Sequence, residues 1–299
     1  MKKLLIGILV LLILSSCGTN QSGKLRIGII SPSLNHFPLD FAFKFEILKQ
    51  NDFVVKKFSS GWETNEALVA GKIDLAILPF TYVWSDVAQG RNVKIISFLE
   101  RESDGIIAKK DIEKISDLDG RKIGVLRAST LDIFAEMLAD EHQIKPEFVY
   151  FRSPMEMAAA LNAGEVDALS FYVPPIFNFN SRFHILHWYS ADHPHHPCCD
   201  LAATESALAN KTEQIRKFLR SLKESCSELV QDPQVAFETI QTSYRISLQT
   251  SKNSLYNTKY IMNLEESGRD FEEKAVRKMI EKGYIETNVK PEDVYFEFE

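Results

Sequence analysis

The sequence predicts an α/β protein of two similar lobes, each a mostly parallel sheet flanked by helices, with a cleft between them. Two observations carry this expectation. The first is a repeat: Ala67-Leu68-Val69-Ala70-Gly71-Lys72-Ile73-Asp74-Leu75-Ala76-Ile77 returns 93 positions later as Ala160-Leu161-Asn162-Ala163-Gly164-Glu165-Val166-Asp167-Ala168-Leu169-Ser170. Each copy reads as the last turn of a helix, a Gly stop, a two-residue turn and a strand. Gly suits the left-handed residue after a helix because it has no Cβ to clash, and the apolar run after each Asp fits a strand covered on both faces. The second observation is that each copy closes a β-α-β-α-β succession, the order that builds a parallel sheet with right-handed crossovers. Two copies so far apart exclude a solenoid.

Lys24–Ile30 reads as the first strand, followed by a turn-rich loop from Ser31 to Pro38 and a helix over Leu39–Gln50. Phe53–Phe58 is the next strand. Ser59-Ser60-Gly61 opens a helix over Trp62–Ala70, Ile73–Leu78 is the repeat strand, and Val93–Glu100 follows Gly90 as another. The second unit starts near Ile106. It continues through Gly120–Leu126 as a strand, a helix opening at Arg127–Thr130 and ending at Asp140, and a strand at Phe148–Phe151. A helix at Pro154–Ala163 and the repeat strand Val166–Tyr172 complete it. From Glu205 onward the chain is helix-rich, with amphipathic stretches at Lys211–Gln231, Pro233–Tyr244, Ser251–Leu264 and Phe271–Lys282. Lobe 1 is expected to comprise residues 24–101 with 203–299, and lobe 2 residues 102–202. The crossings are expected near Leu99–Ile107 and Cys198–Thr204.

Residues 1–16 read as an export signal: Lys2 and Lys3, an apolar stretch from Leu4 to Leu14, then Ser15-Ser16-Cys17. The stretch is shorter than the roughly 20 residues a membrane-spanning helix needs. Leu14-Ser15-Ser16-Cys17 resembles the bacterial lipobox, which implies a lipidated Cys17, a polar tether over 17–23, and an extracytoplasmic protein held at a membrane by lipid. Lys2 and Lys3 are the only charges of the leader, so the formal net charge of −6 becomes −8 in the mature chain. No basic stripe appears, which excludes nucleic acid as the expected partner. A hydrophobic content of 45% with 25% charged residues is that of a soluble globular body, expected to be a monomer.

Ligands of such sheets lie beyond the carboxyl ends of the strands. Those ends are Ser31–Phe37, Ser59–Trp62, Pro79–Trp84, Arg127–Thr130 and Tyr172–Pro175. Backbone N–H groups at the helix starts Ser60-Gly61-Trp62 and Ser129-Thr130 suit an anion. Asn35, His36, Trp62, Phe80, Thr81, Tyr82, Trp84 and Tyr172 add an aromatic, amide-bearing rim that suits a planar heterocycle held by its edge and stacked on its faces. Trp62 and Tyr172 are the foremost single candidates, and no cofactor is called for.

Four stretches carry a resemblance: Asn35-His36-Phe37-Pro38-Leu39, Ser60-Gly61-Trp62-Glu63, Ala67–Asp74, and Ile115-Ser116-Asp117-Leu118-Asp119-Gly120-Arg121-Lys122-Ile123-Gly124-Val125. With them the chain resembles the substrate-binding proteins of ABC importers, of the periplasmic binding protein type II class. Within that class it is similar to the nitrate–sulfonate–taurine and thiamine-pyrimidine-precursor binding proteins. The resemblance covers most of residues 24–230. It implies capture of a small molecule in the cleft by hinge closure, with presentation to an ABC permease. It also implies a pyrimidine as the leading ligand class, with a small organic anion (sulfonate, nitrate-type or carboxylate) as the alternative.

Five of the seven histidines fall between His184 and His196, and Cys198-Cys199 follow at once. His193, His195, His196, Cys198 and Cys199 therefore form an alternative site for a metal or haem scavenger. No Cys-x-x-Cys or His-x-x-x-His spacing appears, and the Pro-Cys-Cys segment resembles the return crossing of the family, so a hinge segment is the preferred reading. Export permits one disulfide among Cys198, Cys199 and Cys226. Pyrimidine-synthase enzymes share the fold, with a Cys-rich motif and iron. Here there is neither Gly-x-Ser-x-Gly nor His-Glu-x-x-His, and a lipobox does not suit a cytosolic enzyme, so no catalysis is expected.

Overall fold

The computed structural model describes residues 23–286 and 289–298. The expected signal, Cys17 and nearly all of the tether lie outside the described residues. Lobe 1 opens with β1 (Leu25–Ile30), α1 (Phe37–Lys44), β2 (Phe53–Phe58), α2 (Gly61–Val69), β3 (Leu75–Pro79), α3 (Phe80–Ala88) and β4 (Val93–Arg101). The chain then enters lobe 2 with β5 (Asp104–Lys109), β6 (Lys122–Leu126), α4 (Thr130–Glu141), β7 (Glu147–Phe151), α5 (Pro154–Ala163), β8 (Ala168–Tyr172) and β9 (Phe183–Trp188). It returns as β10 (Pro197–Thr204), followed by α6 (Glu205–Asn210), α7 (Thr212–Gln231), α8 (Pro233–Tyr244) and α9 (Leu248–Tyr256). β11 (Lys259–Tyr260), α10 (Glu266–Glu281) and α11 (Pro291–Val294) complete the chain.

The two sheets share one plan. Lobe 1 is ordered β11-β4-β10-β3-β1-β2 and lobe 2 β9-β5-β8-β6-β7. β1, β2 and β3 are mutually parallel, as are β6, β7 and β8. β10 runs antiparallel to β3, and β5 antiparallel to β8. The sheets are therefore mixed, with β1, β2, β3 and β4 running one way in lobe 1 and β6, β7, β8 and β9 one way in lobe 2. The reason is the crossing: β5 and β10 each enter from the other lobe, so each meets its host sheet from the opposite end.

The repeat marks equivalent places in the two lobes. Gly71 and Gly164 are both left-handed, with φ of 64° and 81°, and each stops the helix ahead of its strand. α2 and α5 begin alike: Ser60 accepts the N–H of Glu63 at 3.2 Å, and Ser153 that of Glu156 at 3.3 Å. Each Glu reaches back in turn, accepting the N–H of Ser59 and of Arg152.

Three expectations are corrected. The return crossing lies between Trp188 and Pro197, ahead of the expected 202/203 boundary, because all of β10 pairs with β3 and β4. The strand-end stretch Pro79–Trp84, expected at the ligand rim, runs straight into α3 without a linker. Its helical turn sends Phe80, Thr81 and Trp84 into the lobe 1 core, with 0–1% exposure. The amphipathic stretch Ser251–Leu264 divides into α9 and β11, the latter extending the lobe 1 sheet beside β4.

The core is continuous through lobe 1, where Ile27, Ile29, Leu75, Ile77, Leu99 and Leu201 are fully buried. Burying a side chain of this size contributes about 2 kcal/mol. Among the described residues no helix is long and apolar enough to cross a membrane.

A candidate binding cavity between the lobes

The strand ends and helix starts converge on a cavity of about 60 Å³ between the lobes. Lobe 1 contributes Asn35 from the loop after β1, Ser60 and Gly61 at the start of α2, Tyr82 of α3 and Glu100 near the end of β4. Lobe 2 contributes Asp104 at the start of β5, Ser129 and Thr130 at the start of α4, Pro154 of α5 and Tyr172 at the end of β8. Cys198 and Cys199 close the floor.

Of the ligand candidates read from sequence, Asn35, Ser60, Gly61, Tyr82, Ser129, Thr130 and Tyr172 meet here. Gly61 has no room for a side chain: a Cβ would stand 2.8 Å from Tyr82 Cε2 and 3.0 Å from Pro79 Cδ. Trp62 does not line the cavity; it is 60% exposed, because the second position of α2 turns its side chain outward. Phe80 and Thr81 are enclosed in the core of lobe 1, as is Trp84, whose indole N–H donates to Glu272 at 2.7 Å. His36 stands behind the cavity, with Nδ1 2.9 Å from Asn35 Oδ1 and Nε2 3.3 Å from Asp40. It thereby fixes the amide of Asn35, whose Nδ2 donates to Cys199 Sγ at 3.5 Å.

Sequence reasoning missed Glu100 and Asp104. They flank the first crossing, both 1% exposed, and each has one oxygen, Glu100 Oε1 and Asp104 Oδ2, with no hydrogen-bond partner in the protein. Burial, and for Glu100 also repulsion from Asp104, pushes both carboxyls well above the ordinary range. Among the described residues no Lys or Arg lines the cavity. The signal available in sequence was faint: three acids in the first crossing, Glu100, Glu102 and Asp104, of a residue type that lines many loops.

Adjacent residues on a regular strand face opposite ways, yet both cysteines reach the cavity. Register breaks on either side of Cys199 explain it: the irregularity lets two successive side chains turn to one side. Their sulfurs lie 3.9 Å apart, and Cys198 Sγ is 3.3 Å from Thr130 Oγ1 across the cleft. Cys198, Cys199 and Cys226 are all free and buried, and burial raises each thiol.

The five-residue metal alternative comes apart. His193 pairs with Glu141 at 3.0 Å and His195 with Glu102 at 2.9 Å. Buried His196, lowered to about 4 by burial, has Nδ1 2.8 Å from the His193 carbonyl. Among the described residues only Glu100, Cys198 and Cys199 bring ligand atoms together, all within 4.8 Å of one another. That donor set would suit a thiophilic ion, but only with thiols ionised, which their surroundings oppose.

Comparison with solved structures places the fold. The alkanesulfonate-binding protein SsuA from Xanthomonas axonopodis pv. citri, bound to MOPS, superposes with a TM-score of 0.81 at 15% identity, covering 92% of this chain and 99% of that one. SsuA from Escherichia coli gives 0.77 at 15% identity, covering 91% and 97%. A zinc-bound ligand-binding component of an ABC-type import system from Staphylococcus aureus gives 0.78 at 20% identity, covering 92% and 96%. A search of curated protein sequences found no match. The NMT1/THI5-like family profile aligns with residues 53–236, a span holding the repeat, both crossings and most of the cavity lining. That match covers more than half of the sequence, and the chain belongs to the NMT1/THI5-like family.

Proposed function

We propose that this protein is the extracytoplasmic, lipid-anchored solute-binding component of an ABC importer, and that it captures a small planar amino-heterocycle of the pyrimidine class. The observation that carries the ligand class is the pair Glu100 and Asp104. Both residues line the cavity, each keeps one buried oxygen without a hydrogen-bond partner, and among the described residues no Lys or Arg joins the lining. Unpaired buried carboxyls are costly, and a ligand edge rich in N–H donors offsets that cost. Asn35 supplies a further polar group, and Tyr82 and Tyr172 bring aromatic side chains from opposite lobes. Closure follows from geometry: the ligand gains both sets of contacts only when the lobes meet. The protein binds and releases without turnover and works with a permease.

The second reading, a small organic anion, draws on the starts of α2 and α4 at the cavity. Against it, no Lys or Arg among the described residues lines the cavity to neutralise an anion. Calorimetric titration of the purified full chain decides between them: 4-aminopyrimidine is expected to bind and methanesulfonate not. Binding of methanesulfonate alone overturns the ligand class. Mass spectrometry of small molecules released on denaturation, from protein purified from its host, tests the same point without a chosen probe.

A further inference from the structure

α10 belongs to lobe 1 along its first half. Arg101 of β4, 1% exposed, pairs with Glu265 at the helix start. Gly268 packs against Phe98 so closely that a Cβ would stand 2.5 Å from the ring. Glu272, fully buried, accepts Trp84 Nε1–H at 2.7 Å and the Tyr295 hydroxyl at 2.8 Å.

The second half of the helix faces the other lobe. Lys274, Lys278 and Lys282, one turn apart, pair with Glu141, Asp140 and Glu136 of α4; the first pair is at 2.7 Å. Beneath them Phe271 packs edge-on against Phe134 of α4 at 5.4 Å between ring centres. Beyond the helix the Tyr284 hydroxyl donates to Asp132 Oδ2 at 2.9 Å. That same oxygen accepts the N–H of Ala128 at 2.8 Å, holding a non-Gly residue with φ of 58°. Ala128 immediately precedes Ser129 and Thr130, which line the cavity.

We propose that Lys274, Lys278, Lys282 and Tyr284 form an interlobe latch that positions the cavity loop Leu126–Thr130 and favours the closed form, so that these residues set ligand affinity from outside the cavity. Exposed ion pairs are individually weak and are screened by salt. Three in register act together, and the tyrosine adds a hydrogen bond that salt screens less. The latch rests on the binding-protein reading, since it acts by closing the cleft.

The test measures the distance between spin labels on Lys72→Cys and Glu165→Cys, equivalent exposed positions in the two lobes, on the full chain without ligand. The expected result is a shift of about five- to tenfold toward the open population, both on raising salt from about 0.05 M to about 1 M and in the Lys274→Gln/Lys278→Gln/Lys282→Gln variant. Tyr284→Phe is expected to shift the same population at constant salt. Charge exchange, Lys278→Glu with Asp140→Lys, is expected to restore the closed population, and thermal melting of each variant shows whether it is folded. Unchanged distances in folded triple and Tyr284→Phe variants overturn the latch. A 4-aminopyrimidine titration that fails on the parent protein, with distances shifting as expected, overturns only the ligand class.

Discussion

Asp74 and Asp167 hold the same station in the two lobes. The carboxylate of each accepts the backbone N–H at the edge of the neighbouring central strand, Arg26 at 2.8 Å and Lys122 at 3.0 Å. The backbone N–H of each donates to the carbonyl of that same residue at 2.8 Å. Each also carries a basic partner, Lys211 for Asp74 and Lys109 for Asp167, both at 2.7 Å. The repeat thus encodes a tie between its strand and the neighbouring parallel strand, β1 in lobe 1 and β6 in lobe 2.

Asp74→Asn is expected to destabilise the protein by about 2 kcal/mol at pH 7, and Asp167→Asn by about 1 kcal/mol, measured by urea unfolding. Burial raises the Asp74 carboxyl, but hydrogen bonds from Arg26 and Lys211 outweigh it, and the net shift is downward. A lowered carboxylate pKa gives stability that is complete above the ordinary range near pH 4 and lost as pH falls through the folded value. The gap between parent and Asp74→Asn should therefore narrow as acidification proceeds below the ordinary carboxylate range.

Glu100 and Asp104 act with the opposite sign. Their carboxyls are raised, so between about pH 4 and neutrality the unfolded chain releases protons that the folded chain keeps. Ligand-free protein is expected to melt higher at pH 5 than at pH 8, and Asp104→Asn to flatten that slope. With 4-aminopyrimidine, Glu100→Gln and Asp104→Asn should each weaken binding by roughly tenfold or more in calorimetry.

Gly61 and Trp62 are neighbours with different expected outcomes. Gly61→Val drives side-chain atoms into Tyr82 and the cavity, so binding should be abolished in a protein that still folds. Trp62→Ala removes a ring that is 60% exposed and outside the lining, so affinity should change by less than about threefold. Isothermal titration of both variants checks the pair.

The cavity thiols report opening. Cys198 and Cys199 line the cavity while Cys226 is buried under α7 packing, and burial holds all three thiols protonated. An aromatic disulfide reagent is expected to react slowly in the native protein. Bound ligand should slow Cys198 and Cys199 further and leave Cys226 unchanged, as read by peptide mass mapping.

What the sequence determined by itself is the part written in local physics. Gly71 and Gly164 stop helices because a left-handed residue without Cβ is cheap, and Ser60 and Ser153 start helices because their hydroxyls accept an orphan N–H. Hence both lobes, the repeat strands and seven cavity residues were legible. The tertiary structure decided the rest. α3 follows β3 without a linker, which rotates Phe80, Thr81 and Trp84 into the core and leaves Tyr82 at the cavity. A broken register in β10 turns two adjacent thiols one way, and the crossing strands bring Glu100 and Asp104 together. Such facings depend on which strand a segment pairs with far along the chain, and a periodicity of two or of 3.6 residues carries no information about a distant partner.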